Sequence, residues 1–116
     1  MLRLVNLGTG QVIAESIEPA ETFFKRFKGL MFRKNLSPNS GLYLRPCNSI
    51  HTFFMKFPID VLYINDHGKI VGIEEQLEPG KIGKRFPGAA AVIELPINSI
   101  KAFEITEGQL IKLSET

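Results

Sequence analysis

Among the titratable side chains of this 116-residue chain, His51, Asp60 and Glu94 sit in surroundings that could support chemistry. His51 opens the stretch His51-Thr52-Phe53-Phe54-Met55-Lys56-Phe57-Pro58-Ile59-Asp60-Val61-Leu62-Tyr63-Ile64, the densest mixture of apolar bulk and titratable groups in the sequence. A His–Asp pair can hold an imidazole in one tautomer and prime it as a base. The plainer reading is a hydrogen-bonded rim histidine and an aspartate that accepts backbone N–H groups, because one His and one Asp are not a motif. Glu94 lies inside the apolar run Ala91-Val92-Ile93-Glu94-Leu95-Pro96. Facing inward, it must be paired or protonated, since an isolated buried charge is costly. Strand alternation leaves its direction open. Arg33, Arg45 and Lys56 are its candidate partners. The donor types of His51, Asp60 and Glu94 suit zinc or iron. No His-x-His or Cys-x-x-Cys pair anchors such a site, and no metal is assigned. Cys47, four residues before His51, reads as a small buried residue rather than a nucleophile.

The elements that must position these groups are mostly short strands. Leu2 to Asn6 and Gln11 to Glu15 flank Gly8-Thr9-Gly10 and form an opening hairpin. Gly41 to Arg45, Ile59 to Ile64, Lys69 to Glu75, Ala90 to Leu95, Ala102 to Ile105 and Leu110 to Leu113 follow as strands bounded by Gly, Pro, Asn and Asp turns. Asn48 to Phe53 reads as extended. Ala20, Phe23, Phe24, Phe27, Leu30 and Met31 recur at helical spacing, and Pro19 suits a first helical position. That pattern predicts one amphipathic helix over about Pro19 to Lys28. Leu77 to Gly88, with two prolines and three glycines, is a long loop of the kind that is functional or mobile. The fold expected is mainly β: a single-domain, jelly-roll-like sandwich or barrel of seven or eight short strands, with that helix packed on it.

Composition narrows the function classes. Fourteen Lys and Arg against twelve Asp and Glu leave a net charge of +2, too little for a duplex-DNA partner. Basic residues Lys25, Arg26, Lys28, Arg33 and Lys34 interleave with phenylalanines, but the helical period accounts for that pattern, so no nucleic acid is expected. With Arg45 and the Lys81 to Arg85 loop, the same groups suit a small anionic molecule. One cysteine excludes an intramolecular disulfide. No apolar run approaches the ~20 residues of a membrane span. The reading is a cytoplasmic protein.

Three segments, Gly29-Leu30-Met31-Phe32-Arg33, Ile50-His51-Thr52-Phe53-Phe54-Met55-Lys56-Phe57-Pro58-Ile59-Asp60-Val61 and Val92-Ile93-Glu94-Leu95-Pro96, resemble in order and spacing the signatures of the DUF192 family, a domain of unknown function. The resemblance implies a compact β-rich sandwich of jelly-roll character and supplies no activity. Members commonly follow Glu-Leu-Pro with a glycine. Here Ile97-Asn98-Ser99 stands instead, and Asn can take the same left-handed turn. Many members look exported, with a signal or anchor ahead of the domain; this chain starts at the domain, which fits the cytoplasmic reading.

The functional expectation is a small-ligand-binding module without established catalysis. Its pocket is lined by Phe53, Phe54 and Met55, with Arg33, His51 and Asp60 as polar anchors and Glu94 as a fourth. Two alternatives stand beside it: a hydrolase or metal-dependent enzyme using His51, Asp60 and Glu94, and a structural or protein-interaction domain.

Overall fold

The computed structural model describes residues 1–20, 22, 30–31 and 33–115. Among these residues seven strands run in the order β1 (Leu2–Asn6), β2 (Val12–Ala20), β3 (Ser40–Leu44), β4 (Ile59–Ile64), β5 (Ile70–Leu77), β6 (Ala91–Pro96) and β7 (Ile111–Glu115). A single short helix, α1 (Ser99–Ala102), is found among the described residues. All seven strands join one sheet, ordered β5-β4-β6-β3-β2-β1-β7. Every pairing is antiparallel except β2 with β3.

The sheet curls until its two edge strands meet at one corner. Lys69 bridges Leu110, Ile111 N–H donates to Gly68 C=O, and Gly108 N–H donates to Ile70 C=O. Twisted sheets close this way to remove free edges. Two apolar layers result. The inner one draws on all seven strands and α1, with Leu4, Ile17, Leu62, Ile93, Leu95, Ile100 and Ile111 among its members. The outer one lies across β3, β6 and β4. Leu42, Leu44, Val92, Ile59, Val61 and Tyr63 meet Leu30, Ile50 and Met55 from the covering connections there.

Two sequence expectations are corrected. Pro19 and Ala20 do not begin a helix: they end β2, in parallel register with Tyr43 and Leu44. β1 reaches β2 only as far as Ile17, so Pro19 lies where β2 is paired on one side alone, a place that tolerates a strand proline. The remainder of the expected helix, residues 21 and 23–28, lies outside the described residues, with Thr22 a bend. Ala102 to Ile105 is not a strand. Ala102 closes α1 and the chain then turns, with Glu104 at φ 51°. The cause is upstream: Asn98 takes the left-handed conformation at φ 71°, as anticipated for the position, and turns the chain into the helix.

Candidate functional site

Strand register sorts the site residues by face. Direct cross-strand partners point to the same side, and consecutive residues alternate. Asp60 opposes Leu95, whereas Val61 opposes Glu94. Asp60 therefore points to the inner layer and Glu94 to the outer one.

Asp60 is buried and fully employed by the backbone. Its Oδ1 accepts Gln76 N–H at 2.9 Å, and its Oδ2 accepts Ile100 N–H at 2.9 Å. The first bond fills a bulge in β5, where the register with β4 slips between Ile59 and Val61 and Gln76 sits at φ 50°. The second satisfies an N–H at the start of α1, which no helical carbonyl can reach. Asp60 thus ties three elements together.

Glu94 lies in a transverse row on the outer face. Glu18 pairs with Leu42, Leu42 with Glu94, Glu94 with Val61, and Val61 with Glu74. At roughly 4.8 Å per strand, successive glutamates of the row are roughly 10 Å apart. Their surroundings differ. Glu18 is half-exposed and pairs with Arg33 at 3.1 Å. Glu74 accepts the Tyr63 hydroxyl at 2.6 Å and Lys84 N–H at 2.9 Å. Glu94 is 3% exposed, and its Oε1 has no hydrogen-bond partner among the described residues. Burial pushes its carboxyl up to about 8, and the Arg33 guanidinium offsets only part of that rise. At neutral pH it is a largely protonated acid, able to donate one hydrogen bond and accept another.

Tyr63 joins the row from the next position along β4. Burial and its bond to Glu74 raise its phenol, and the Glu94 charge adds to that rise. Phe86 covers it at 4.5 Å between ring centroids. Gly72 and Gly83 make room for this arrangement. A Cβ on Gly72 would overlap the Phe86 ring, and one on Gly83 would lie 2.6 Å from the Tyr63 hydroxyl.

Met55 is buried in the same outer layer. Arg33 is exposed at its margin, within electrostatic reach of Glu94. His51 is half-buried on the connection from β3 to β4. Its Nδ1 accepts Phe53 N–H at 3.1 Å and its ring stacks on Phe53. Phe53 and Phe54 are exposed. The outer layer thus brings together Arg33, Met55 and Glu94, leaves His51 and Phe53 on a loop beside it, and puts Asp60 on the other side of the sheet. Cys47 donates to Ser49 C=O and borders a cavity of about 280 Å³ lined by Pro46, Asn48, Ala89 and Ala90, which none of these residues lines. Among the described residues, no group of three or more His, Cys, Asp and Glu could hold a metal ion.

Thr52, Tyr63 and Glu74 carry weight that spacing alone does not reveal. The buried Thr52 hydroxyl donates to Glu78 C=O at 2.6 Å and accepts Lys81 N–H at 2.8 Å, binding the long loop after β5 to the one before β4. Its only signal in the sequence was its place between His51 and two phenylalanines.

The family model of DUF192, described as uncharacterized ACR, matches residues 5–113. A UPF0127 protein of Thermococcus kodakarensis is 30% identical over 118 residues, covering 97% of this chain and 74% of that protein. One of Pyrococcus furiosus is 30% identical over 112 residues, covering 94% and 96%. Among solved structures, a protein of unknown function from Novosphingobium aromaticivorans aligns with a TM-score of 0.82 at 19% identity, covering 96% of this chain and 82% of that one. A candidate transcription regulator from Sinorhizobium meliloti aligns at 0.79 and 22% identity, covering 97% and 91%. At such identities the structural likeness shows the fold alone. No helix among the described residues is long and apolar enough to cross a membrane.

Proposed function

The chain belongs to the DUF192 family, and within that family of unknown function we propose that it is a single-domain, small-ligand-binding module whose site is the outer face of β6. One observation carries this reading: Glu94 is buried with a carboxyl oxygen that finds no hydrogen-bond partner among the described residues. Buried polar atoms are nearly always hydrogen-bonded, and an exception asks for a reason. A ligand that supplies the missing partner is such a reason.

The polar groups around this face support a division of labour. Glu94, as the neutral acid, would donate to a ligand oxygen. Arg33 would attract an anionic group at the margin, in competition with Glu18, to which it is bound at 3.1 Å. Met55, Leu42 and Val61 offer apolar contact. His51 and Phe53 would border the site from the adjoining loop. Asp60 has no part in it, because both its oxygens serve the backbone. A cytoplasmic setting agrees with a fold that has one cysteine and no disulfide.

The test is a thermal-shift screen of small carboxylates, phosphates and neutral metabolites on wild type and Glu94→Gln. A ligand at a hundred times its Kd stabilises by about 2.7 kcal/mol. The expected result is a compound that raises the Tm of wild type and acts much more weakly on the variant. A panel without effect on wild type, or one acting equally on both proteins, would refute the assignment.

A further inference from the structure

Three exposed large apolar side chains lie together on two neighbouring loops. Ile82 is 73% exposed, Phe54 66% and Phe53 41%. The backbone brings them to one tip. His51 and Ile82 face each other across an isolated antiparallel bridge, and the His51 ring stacks on Phe53 at 5.1 Å. The Thr52 hydroxyl and the bonds from Thr52 N–H to Lys81 C=O and from Gly83 N–H to Ile50 C=O hold the two loops in register. Phe54 itself sits at φ 63°, the left-handed region that a bulky residue rarely adopts. Core packing does not account for a strained backbone whose ring remains mostly in solvent.

Charge singles out the same tip. Residues 51–57 and 78–86 carry Lys56, Lys81, Lys84 and Arg85, all exposed, against Glu78 alone. The rest of the chain is left with ten cations and eleven anions, so the net charge of +2 originates here. An apolar tip within a lysine-rich collar is poorly suited to a protein interface, where lysine is depleted. It suits a bilayer surface, where aromatic and aliphatic side chains enter the headgroup–acyl boundary and basic groups meet lipid phosphates.

We propose that this tip docks peripherally on an anionic lipid bilayer, with Phe53, Phe54 and Ile82 inserted and Lys56, Lys81, Lys84 and Arg85 on the phosphates. Neither contribution suffices alone: three side chains insert little apolar area, and four cations bind weakly at physiological salt.

Flotation with vesicles of pure phosphatidylcholine and of equal parts phosphatidylcholine and phosphatidylserine tests the proposal. Wild type is expected to float with the anionic vesicles only, and to be released as salt rises. Phe54→Asn with Ile82→Ser, in which Asn keeps the left-handed backbone available, is expected to weaken binding about tenfold or more. Lys81→Glu with Lys84→Glu is expected to abolish it. Both pairs change exposed side chains, and an unchanged thermal midpoint establishes that they fold. Glu94→Gln is expected to float like wild type, which separates this proposal from the ligand site. No binding to anionic vesicles at low salt overturns the proposal, as does binding that neither pair alters. A wild-type oligomer that Phe54→Asn with Ile82→Ser converts to monomer also overturns it, because the tip would then be an interface between copies.

Discussion

Glu94 and Asp60 are two buried carboxylates with opposite consequences for stability. The ordinary carboxyl value for Glu94 is 4.5, and in the fold it is about 8. A raised carboxyl means that the folded state holds the proton more tightly than the unfolded one. The corresponding stability is fully present below pH 4.5, declines as pH rises, and is lost above about 8. Urea denaturation at about pH 5 and about pH 9 is therefore expected to show wild type losing on the order of a few kcal/mol relative to Glu94→Gln, whose amide does not titrate in this range. Parallel pH dependences in the two proteins would refute the assignment. Asp60 matters through hydrogen bonding. Asp60→Ala leaves the N–H groups of Gln76 and Ile100 without their acceptor. Each unsatisfied buried donor costs ~1–3 kcal/mol, so a loss of about 2–6 kcal/mol is expected in the same denaturation experiment. Asp60→Asn, which keeps one carbonyl acceptor, should lose less.

Among the elements, the loop after β5 is secured by what β4 and β5 leave vacant. Gly72 stands opposite Tyr63, and the Phe86 ring occupies the space where a side chain would be. Gly72→Ala is expected to displace Phe86 from Tyr63 and cost about 1–3 kcal/mol, the usual range for overpacking. Limited proteolysis should then cut within residues 78–90 faster than in wild type. Composition marked this loop as functional or mobile. The bonds to Thr52, Ile50 and Glu74 show that it is tied down along much of its length.

For the whole molecule, the corner where β5 meets β7 decides whether the sheet has open edges. Gly68 is central there, at φ 79° and with Ile111 C=O 2.9 Å from where a Cβ would sit. Gly68→Val meets both obstacles, a left-handed backbone costing a β-branched residue roughly 1–2 kcal/mol and a clash with the opposing strand. The expected result is faster hydrogen exchange at the amides of Ile70 and Ile111, with β3 and β6 protected as in wild type. Uniform acceleration across the sheet would mean that the corner and the sheet open together.

The sequence by itself determined the mainly β character, because strands announce themselves through local alternation and turn residues. Ile59 to Ile64 and the strand read at Ala90 to Leu95, which forms over Ala91–Pro96, were legible in that way, while the left-handed turn at Asn98 was anticipated from the family resemblance. It also marked Glu94 as anomalous, since a carboxylate in an apolar run must face water or meet unusual surroundings. Only the tertiary structure decided which. Glu94 and Asp60 lie on adjacent antiparallel strands, and a one-residue offset in register sends one to the outer face and the other to the inner. No local pattern encodes that offset. Likewise, the phenylalanine spacing after Pro19 could not show that Pro19 and Ala20 complete a parallel ladder with β3, whose residues lie more than twenty positions away. The stretch from His51 to Ile64 ends as three parts: an exposed tip at Phe53 and Phe54, an anchor at Asp60 and a central strand. Burial and register separate them, and both are properties of the assembled sheet.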